Sequence, residues 1–280
     1  MFHFYALPYN RSLKNLRAER EEMNIVVCVK QVIDTEAVIE LDAQGEVVLE
    51  GQTLVIDPYS EFAVERAVQL KEQVGGTVTL VCLGTQECLA AVRHGLAMGA
   101  DGALLIEDDA WLSRDAAAVA AALAEAIGGM EADLVMGGWK SGDTAAAQVM
   151  GRIATLLDLP LANMATSLDV TDAGVRVACE VDDGVEVVNL PLPAVVAAQQ
   201  GLAEPRYPSV RDVMQARRKK SDVRAVGDLA VDLSVPGADD LVVVERTLKP
   251  ARSGGRIIEG DVTEAVPEVA RLLVEEAKVF

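Results

Sequence analysis

From residue 23 onward the apolar positions alternate between two periods. Short aliphatic runs recur at 24–29, 77–83, 103–106 and 133–136. Between them lie segments whose apolar residues fall three and four apart. A strand-then-helix rhythm of this kind predicts a parallel sheet covered by helices. The first helical segment, 60–74, carries Phe62, Ala63, Ala67 and Leu70, with Ser60 as its expected cap, Glu61 in its first turn and Gly75-Gly76 as its stop. Segments 87–98, 115–127 and 144–157 continue the series, ending at Gly99, Gly128-Gly129 and Asp158-Leu159-Pro160. The expected fold class is α/β, with a doubly wound, mostly parallel sheet whose ligand crevice lies beyond the carboxyl ends of its strands.

After residue 160 the texture changes. Runs at 167–170, 175–181 and 185–190 flank Asp172-Ala173-Gly174 and Asp182-Asp183-Gly184, which predicts a β-hairpin excursion over 166–190. Pro191 and Pro193 precede an apolar run, 194–198, that should return to the sheet. Beyond Lys220 the chain reads as loops and isolated short runs until an amphipathic helix from about 262 to 278. The expected organisation is therefore a main domain over 23–220 and an extended C-terminal arm over 221–280 that lies across its own domain or a partner. Residues 1–22 are polar and irregular, and Met23 reads as the true start, with a genuine short N-terminal arm as the alternative.

Composition narrows the function classes. With 51% hydrophobic residues in 280, the chain can fill a substantial core. A net charge of −19 and a pI near 4.5 exclude a nucleic-acid partner, which needs clustered cations. The one basic run, Arg217 to Lys220, reads as a solvated helix end. Four cysteines without a CxxC pair, and two histidines, His3 and His94, give no metal-ligand cluster. Cys28 and Cys82 fall inside apolar runs as small hydrophobes, which fits a reducing compartment. No apolar stretch is long enough to cross a bilayer, and residues 1–22 have neither a signal-peptide core nor an acid-poor targeting composition, so a cytoplasmic protein is expected. No serine elbow, paired histidines or Walker loop is present, and no catalytic residue is expected.

The strongest ligand candidate is the turn Gly137-Gly138-Trp139-Lys140-Ser141-Gly142-Asp143-Thr144, read as opening a helix. Glycines let backbone amides approach a phosphate, a helix amino end favours negative charge, and Lys140, Ser141 and Thr144 add donors. Spacing alone leaves phosphate binding and a simple tight turn equally open. Val29-Lys30-Gln31, Leu83-Gly84-Thr85 and Asp57-Pro58-Tyr59-Ser60 should converge on the same crevice, or be ordinary loops; for Asp57 the alternative is a turn or helix-start role.

Five segments taken together resemble the beta subunit of electron transfer flavoproteins, from Met23 to the carboxyl terminus. They are Ile25 to Asp34, Asp57 to Ala67, Leu96 to Asp101, Pro193 to Val196 after the hairpin that contains Cys179-Glu180-Val181, and Glu204 to Met214. The resemblance implies a Rossmann-like fold, similar to the adenine nucleotide alpha hydrolases, and a heterodimer. In it an alpha subunit holds the redox-active FAD, while the beta subunit holds AMP, or a second FAD in electron-bifurcating members. It implies nucleotide contacts from Cys28, Lys30, Asp57, Pro58, Tyr59, Ser60, Leu83, Gly138, Trp139, Lys140, Ser141, Gly142, Asp143, Thr144, Ala147, Gln148 and Val149. It implies a place near the flavin path for Glu180, partner recognition by Val210 and Met214, and contact of the arm with the alpha subunit. The implied function is transfer of electrons from acyl-CoA-type dehydrogenases toward a quinone reductase. One alternative is a bifurcating flavoprotein that oxidises NADH, and another is a monomeric nucleotide-binding regulatory domain. Two departures stand out: residues 143–149 carry fewer acidic residues than is usual, and Cys179 stands where an arginine is common.

Overall fold

The computed structural model describes residues 22–231, 233, 245–248, 250 and 255–279. The N-terminal segment discussed above falls, apart from Glu22, outside them. Strands are β1 Met23–Val29, β2 Gln31–Ile33, β3 Leu54–Ile56, β4 Gly76–Gly84, β5 Gly102–Glu107, β6 Leu134–Gly138, β7 Leu161–Thr171, β8 Gly174–Val181, β9 Gly184–Leu190, β10 Ala194–Ala198 and β11 Lys220–Ala225. Helices are α1 Pro58–Val74, α2 Leu89–Met98, α3 Ala116–Gly128, α4 Val149–Leu157, α5 Val210–Ala216 and α6 Val262–Glu275.

Two compact units are distinguished: 1–38 with 48–244, and 39–47 with 245–280. In the first, nine strands form one sheet in the order β11-β5-β4-β1-β6-β10-β7-β8-β9. Every pair from β11 to β7 is parallel, while β7-β8 and β8-β9 are antiparallel. β2 and β3 form a separate antiparallel pair. A central parallel strand is buried on both faces, which is why β1 is apolar at every position from Ile25 to Val29. Its residues alternate between two cores. Ile25 and Val27 pack with Val64, Leu70 and Leu96 of α1 and α2. Val26 and Cys28 pack with Leu123, Ile127, Ile153 and Leu157 of α3 and α4.

From β1 the chain builds β4 and β5 on one side, then crosses to β6 on the other. The topological switch point thus lies between the carboxyl ends of β1 and β6.

Several boundaries differ from the sequence expectations, each for a local reason. Helix α1 begins at Pro58, because the buried Asp57, not Ser60, accepts from the amides of Tyr59 and Ser60. Helix α4 begins at Val149 rather than 144, since Ala145 and Ala147 take left-handed backbone conformations (φ 49° and 54°) that interrupt the helix. The hairpin is longer than read, with β7 starting at Leu161. The stretch after Lys220 is not loop at first: β11 pairs with β5 as an exposed edge strand, and Lys-Ser-Asp-Val-Arg-Ala carries too few apolar residues to show a period. It is tied to α3 by the Arg224 guanidinium, which donates to both carboxylate oxygens of Glu125 (3.1 Å each).

In the second unit, Leu41 and Val47 form a β-bridge and Arg246 pairs with Glu46. Helix α6, capped by Asp261, exposes Val262, Val266, Val269, Leu273 and Val274 and buries no residue. Among the described residues no helix is long and apolar enough to cross a membrane.

The loop after β10 is anchored to α1 by Arg206, which donates to Glu65 (2.8 and 2.9 Å) and to Glu72 (2.7 Å). Burial opposes the charge of Glu65, yet the Arg206 hydrogen bonds hold its carboxyl below its ordinary value of 4.5; the same bonds lower Glu72. Arg206→Met should therefore cost about 2–3 kcal/mol at neutral pH, less than a fully buried pair because the arginine is partly exposed. A carboxyl lowered by folding stabilises above its unfolded value, and that contribution fades as pH falls through the folded value. The gap between wild type and variant in urea unfolding should thus be full above about pH 5 and narrow as the solution is acidified further.

Candidate functional site

At the switch point lies a cleft of about 1000 Å³, open solvent at its mouth included. Its floor comes from the ends of β1 (Cys28, Val29, Lys30) and β4 (Leu83), and one wall from Gly138 to Ser141, Asp143, Thr144 and Ala146 to Met150. The opposite wall is the turn after β5, with Trp111, Leu112 and Arg114, and the first half of α3.

Gly138 is required by close approach. A Cβ there would fall 2.6 Å from Tyr59 Cβ and 2.9 Å from the Lys140 carbonyl oxygen. This lets the loop after β6 fold down against the start of α1, where Asp57 is 1% exposed. Asp57 Oδ1 caps α1 by accepting from Tyr59 N (2.9 Å) and Ser60 N (3.3 Å), and Oδ2 accepts from Gly142 N (2.7 Å). Burial pushes the Asp57 carboxyl up, an effect that these three amides only partly offset. Lys30 gives a second tether: Nζ lies 2.7 Å from Asp143 Oδ1 and 3.3 Å from Ser141 Oγ. Burial disfavours the charge on Asp143, but the Lys30 ammonium holds its carboxyl below the usual range. Ser60, freed from capping, accepts from Lys30 N (3.2 Å).

Beyond these tethers the loop presents donors. Ala145 and Ala147 are left-handed and Ala146 is not, the kind of alternation that can turn successive amides toward one concavity and hold an anion. Helix α4 follows, and its amino end has no side-chain cap: Gln148 instead accepts from Arg152. The first-turn amides of α4 therefore keep their unpaired donors and the positive end of the helix dipole. Ser141 and Thr144 hydroxyls lie 3.0 Å apart beside them. The Lys140 ammonium sits over the rings of Trp139 (4.7 Å) and Tyr59 (5.4 Å). Apart from Arg114, the rest of the cleft is apolar. Burial pushes the Cys28 thiol up to about 12, so it offers no thiolate nucleophile at neutral pH. The arrangement suits binding an amphipathic anion, with a charged end at α4 and a flat apolar body between the walls. Among the described residues no group of three or more His, Cys, Asp or Glu could hold a metal.

Comparison with known proteins matches the electron transfer flavoprotein domain over residues 45–229. The electron transfer flavoprotein subunit beta of Bacillus subtilis is 36% identical over 259 residues, covering 92% of this chain and all of that protein. The subunit beta of Syntrophomonas wolfei is 35% identical, covering 92% and 98%. That of Mycobacterium tuberculosis is 32% identical, covering 90% and 98%. The chain belongs to the electron transfer flavoprotein beta-subunit family.

Of the residues singled out from the sequence of this beta-family chain, Cys28, Lys30, Asp57, Ser60, Leu83, Gly138 to Ser141, Asp143, Thr144, Ala147, Gln148 and Val149 line the cleft together. Pro58, Tyr59 and Gly142 stand behind it: Pro58 starts α1, Tyr59 meets Trp139 edge-on at 6.1 Å, and Gly142 is the Asp57 tether. Glu180 lies on β8, and Val210 and Met214 lie on α5, exposed by 81% and 61% and outside the cleft lining. Missed were Trp111, Leu112 and Arg114, with Ala116, Val119 and Leu123 of α3 and Met150 of α4. The buried Asp108, after β5, accepts from Ala110 N and from Arg114 Nε (2.8 Å) and so shapes the turn that carries the first three. An Asp followed by an Arg six residues on, after a strand end, was the available signal.

Asp57→Asn separates cap from tether, because one side-chain oxygen can still cap α1 while the amide NH2 faces another donor at Gly142. Stability should fall by about 1–2 kcal/mol, and the Gly142 amide should lose its protection in hydrogen exchange while the first turn of α1 keeps its own.

Proposed function

We propose that this chain is the nucleotide-holding subunit of a two-subunit electron carrier, with AMP in its cleft and an alpha-type partner that carries the redox-active FAD. Electrons enter from acyl-CoA-type dehydrogenases and leave toward a quinone reductase. The observation that supports AMP is the pairing of an uncapped α4 amino end with the left-handed turn at Ala145 and Ala147, at the sheet's switch point. The partner's FAD supplies the one-electron chemistry; the residues of this chain bind and orient. Amides from Ala146 to Met150 and the Ser141 and Thr144 hydroxyls hold the phosphate, and Lys140 adds charge. Cys28, Leu83, Val119 and Leu123 exclude water around the base.

The remaining assignments rest on exposed surface. Tyr207, Val210 and Met214 are exposed side chains suited to a dehydrogenase, Val181, Val185 and Val187 of the hairpin and the apolar stripe of α6 suit the alpha subunit, and Glu180 is assigned to the flavin path. Four buried free cysteines suit a cytoplasmic setting.

Co-expression with an alpha-type subunit, followed by denaturation and assay of released cofactors, should give one FAD and one AMP per heterodimer. Two FAD without AMP would replace this reading with the bifurcating one, and absence of a complex or of flavin would sink both. Gly138→Val, whose side chain meets Tyr59 and the Lys140 carbonyl, should copurify with FAD but without AMP.

A further inference from the structure

A hydrogen-bonded relay leads out of the cleft. Trp139, in the cleft wall, is fixed on two sides: Lys140 Nζ sits over its ring, and its indole Nε1 donates to Gln199 Oε1 (2.9 Å). Gln199 Oε1 also accepts from Gln200 N (2.8 Å), and Gln199 Nε2 donates to Glu180 Oε2 on β8 (3.0 Å). The orientation of this amide is forced. An indole N–H and a backbone N–H can only donate, and an ionised carboxylate can only accept, so the oxygen must face the cleft side and the NH2 must face Glu180. The backbone joins the same elements, since Trp139 N donates to Ala198 O (3.0 Å) and Gln199 N to Ala165 O of β7 (2.9 Å).

Lys140 is the movable member at the cleft end. Its ammonium is held over two aromatic rings, a weak attraction that a phosphate can outbid. A phosphate that draws Lys140 off the indole face changes the forces on Trp139. A shift of the Trp139 N–H pulls on the Gln199 amide and, through it, on the Glu180 carboxylate.

We propose that Gln199 is a positioning residue that couples occupancy of the nucleotide cleft to the placement of the Glu180 carboxylate on the β8-β9 hairpin. This rests on the nucleotide reading above. Coupling between two sites is reciprocal, so removal of the Glu180 carboxylate must change affinity in the cleft, and only through Gln199.

The test is a double-mutant cycle on the full chain, stripped of nucleotide and titrated with AMP by calorimetry, with tryptophan emission recorded in parallel. Both tryptophans, Trp111 and Trp139, line the cleft, so emission reports its occupancy. Glu180→Ala should shift the AMP Kd on the order of fivefold, the low end of site-to-site coupling, and have no further effect in a Gln199→Leu background. Gln199→Glu keeps both acceptor contacts but sets a like charge against Glu180. Its added charge also acts on the AMP phosphate through space, so the coupling is read as the part of its Kd shift that a Glu180→Ala background removes; a shift that persists unchanged there marks a merely structural Gln199. AMP binding with an unchanged Kd in Glu180→Ala, or effects that multiply in the double variant, would overturn the coupling alone. Absence of AMP binding by the unaltered chain would overturn the nucleotide reading and the coupling with it.

Discussion

The Asp57 carboxylate is shared by three backbone amides, two in the first turn of α1 and one, Gly142, 85 residues away. The placement of the loop that forms one wall of the cleft depends on this sharing. It holds the loop after β6 against the helix after β3, and so fixes where the Ser141 and Thr144 hydroxyls and the left-handed turn at Ala145 and Ala147 stand. Burying a carboxylate is costly unless its lone pairs are used, and three amide donors offset part of that cost here. The Lys30 tether acts in parallel from β1, so two elements on either side of the switch point grip the same loop.

Electrostatics in the molecule are local rather than global. The chain is strongly acidic, yet its cleft gathers Lys30, Lys140 and Arg114 around an uncapped helix end. Lys30 and Arg114 are neutralised by Asp143 and Asp108. Lys140, over its two rings, and the α4 amides remain as the positive features that face an incoming anion. A diffuse negative field with one confined positive end disfavours polyanions and still accepts a small anionic nucleotide.

Regular, doubly buried elements were legible because burial on both faces forces an unbroken apolar run, as in β1, and burial on one face forces helical spacing, as in α1. Elements with neither constraint were not. β11 is an exposed edge strand held by pairing with β5 and by Arg224, and its polar sequence shows no period. The helix at 144 was a misreading of the same kind: alanines at 145–147 favour a helix, but loop tethers and the left-handed turns override that preference.

For this protein the sequence alone determined the α/β class, the alternation of the buried strands and helices, the family and most of the residues around the crevice. The class and the buried elements follow from local periodicity, and the family and many of the crevice residues from the resemblance of short segments to a known family. Only the tertiary structure decided what those residues do for one another: Asp57 as a tether as well as a cap, Ser60 as acceptor for Lys30, the Asp108-Arg114 turn in the far wall, and the relay from Trp139 through Gln199 to Glu180. Each joins positions distant in the chain or sets which atom faces which, and hydrogen-bond direction is a property of geometry that composition and spacing do not encode.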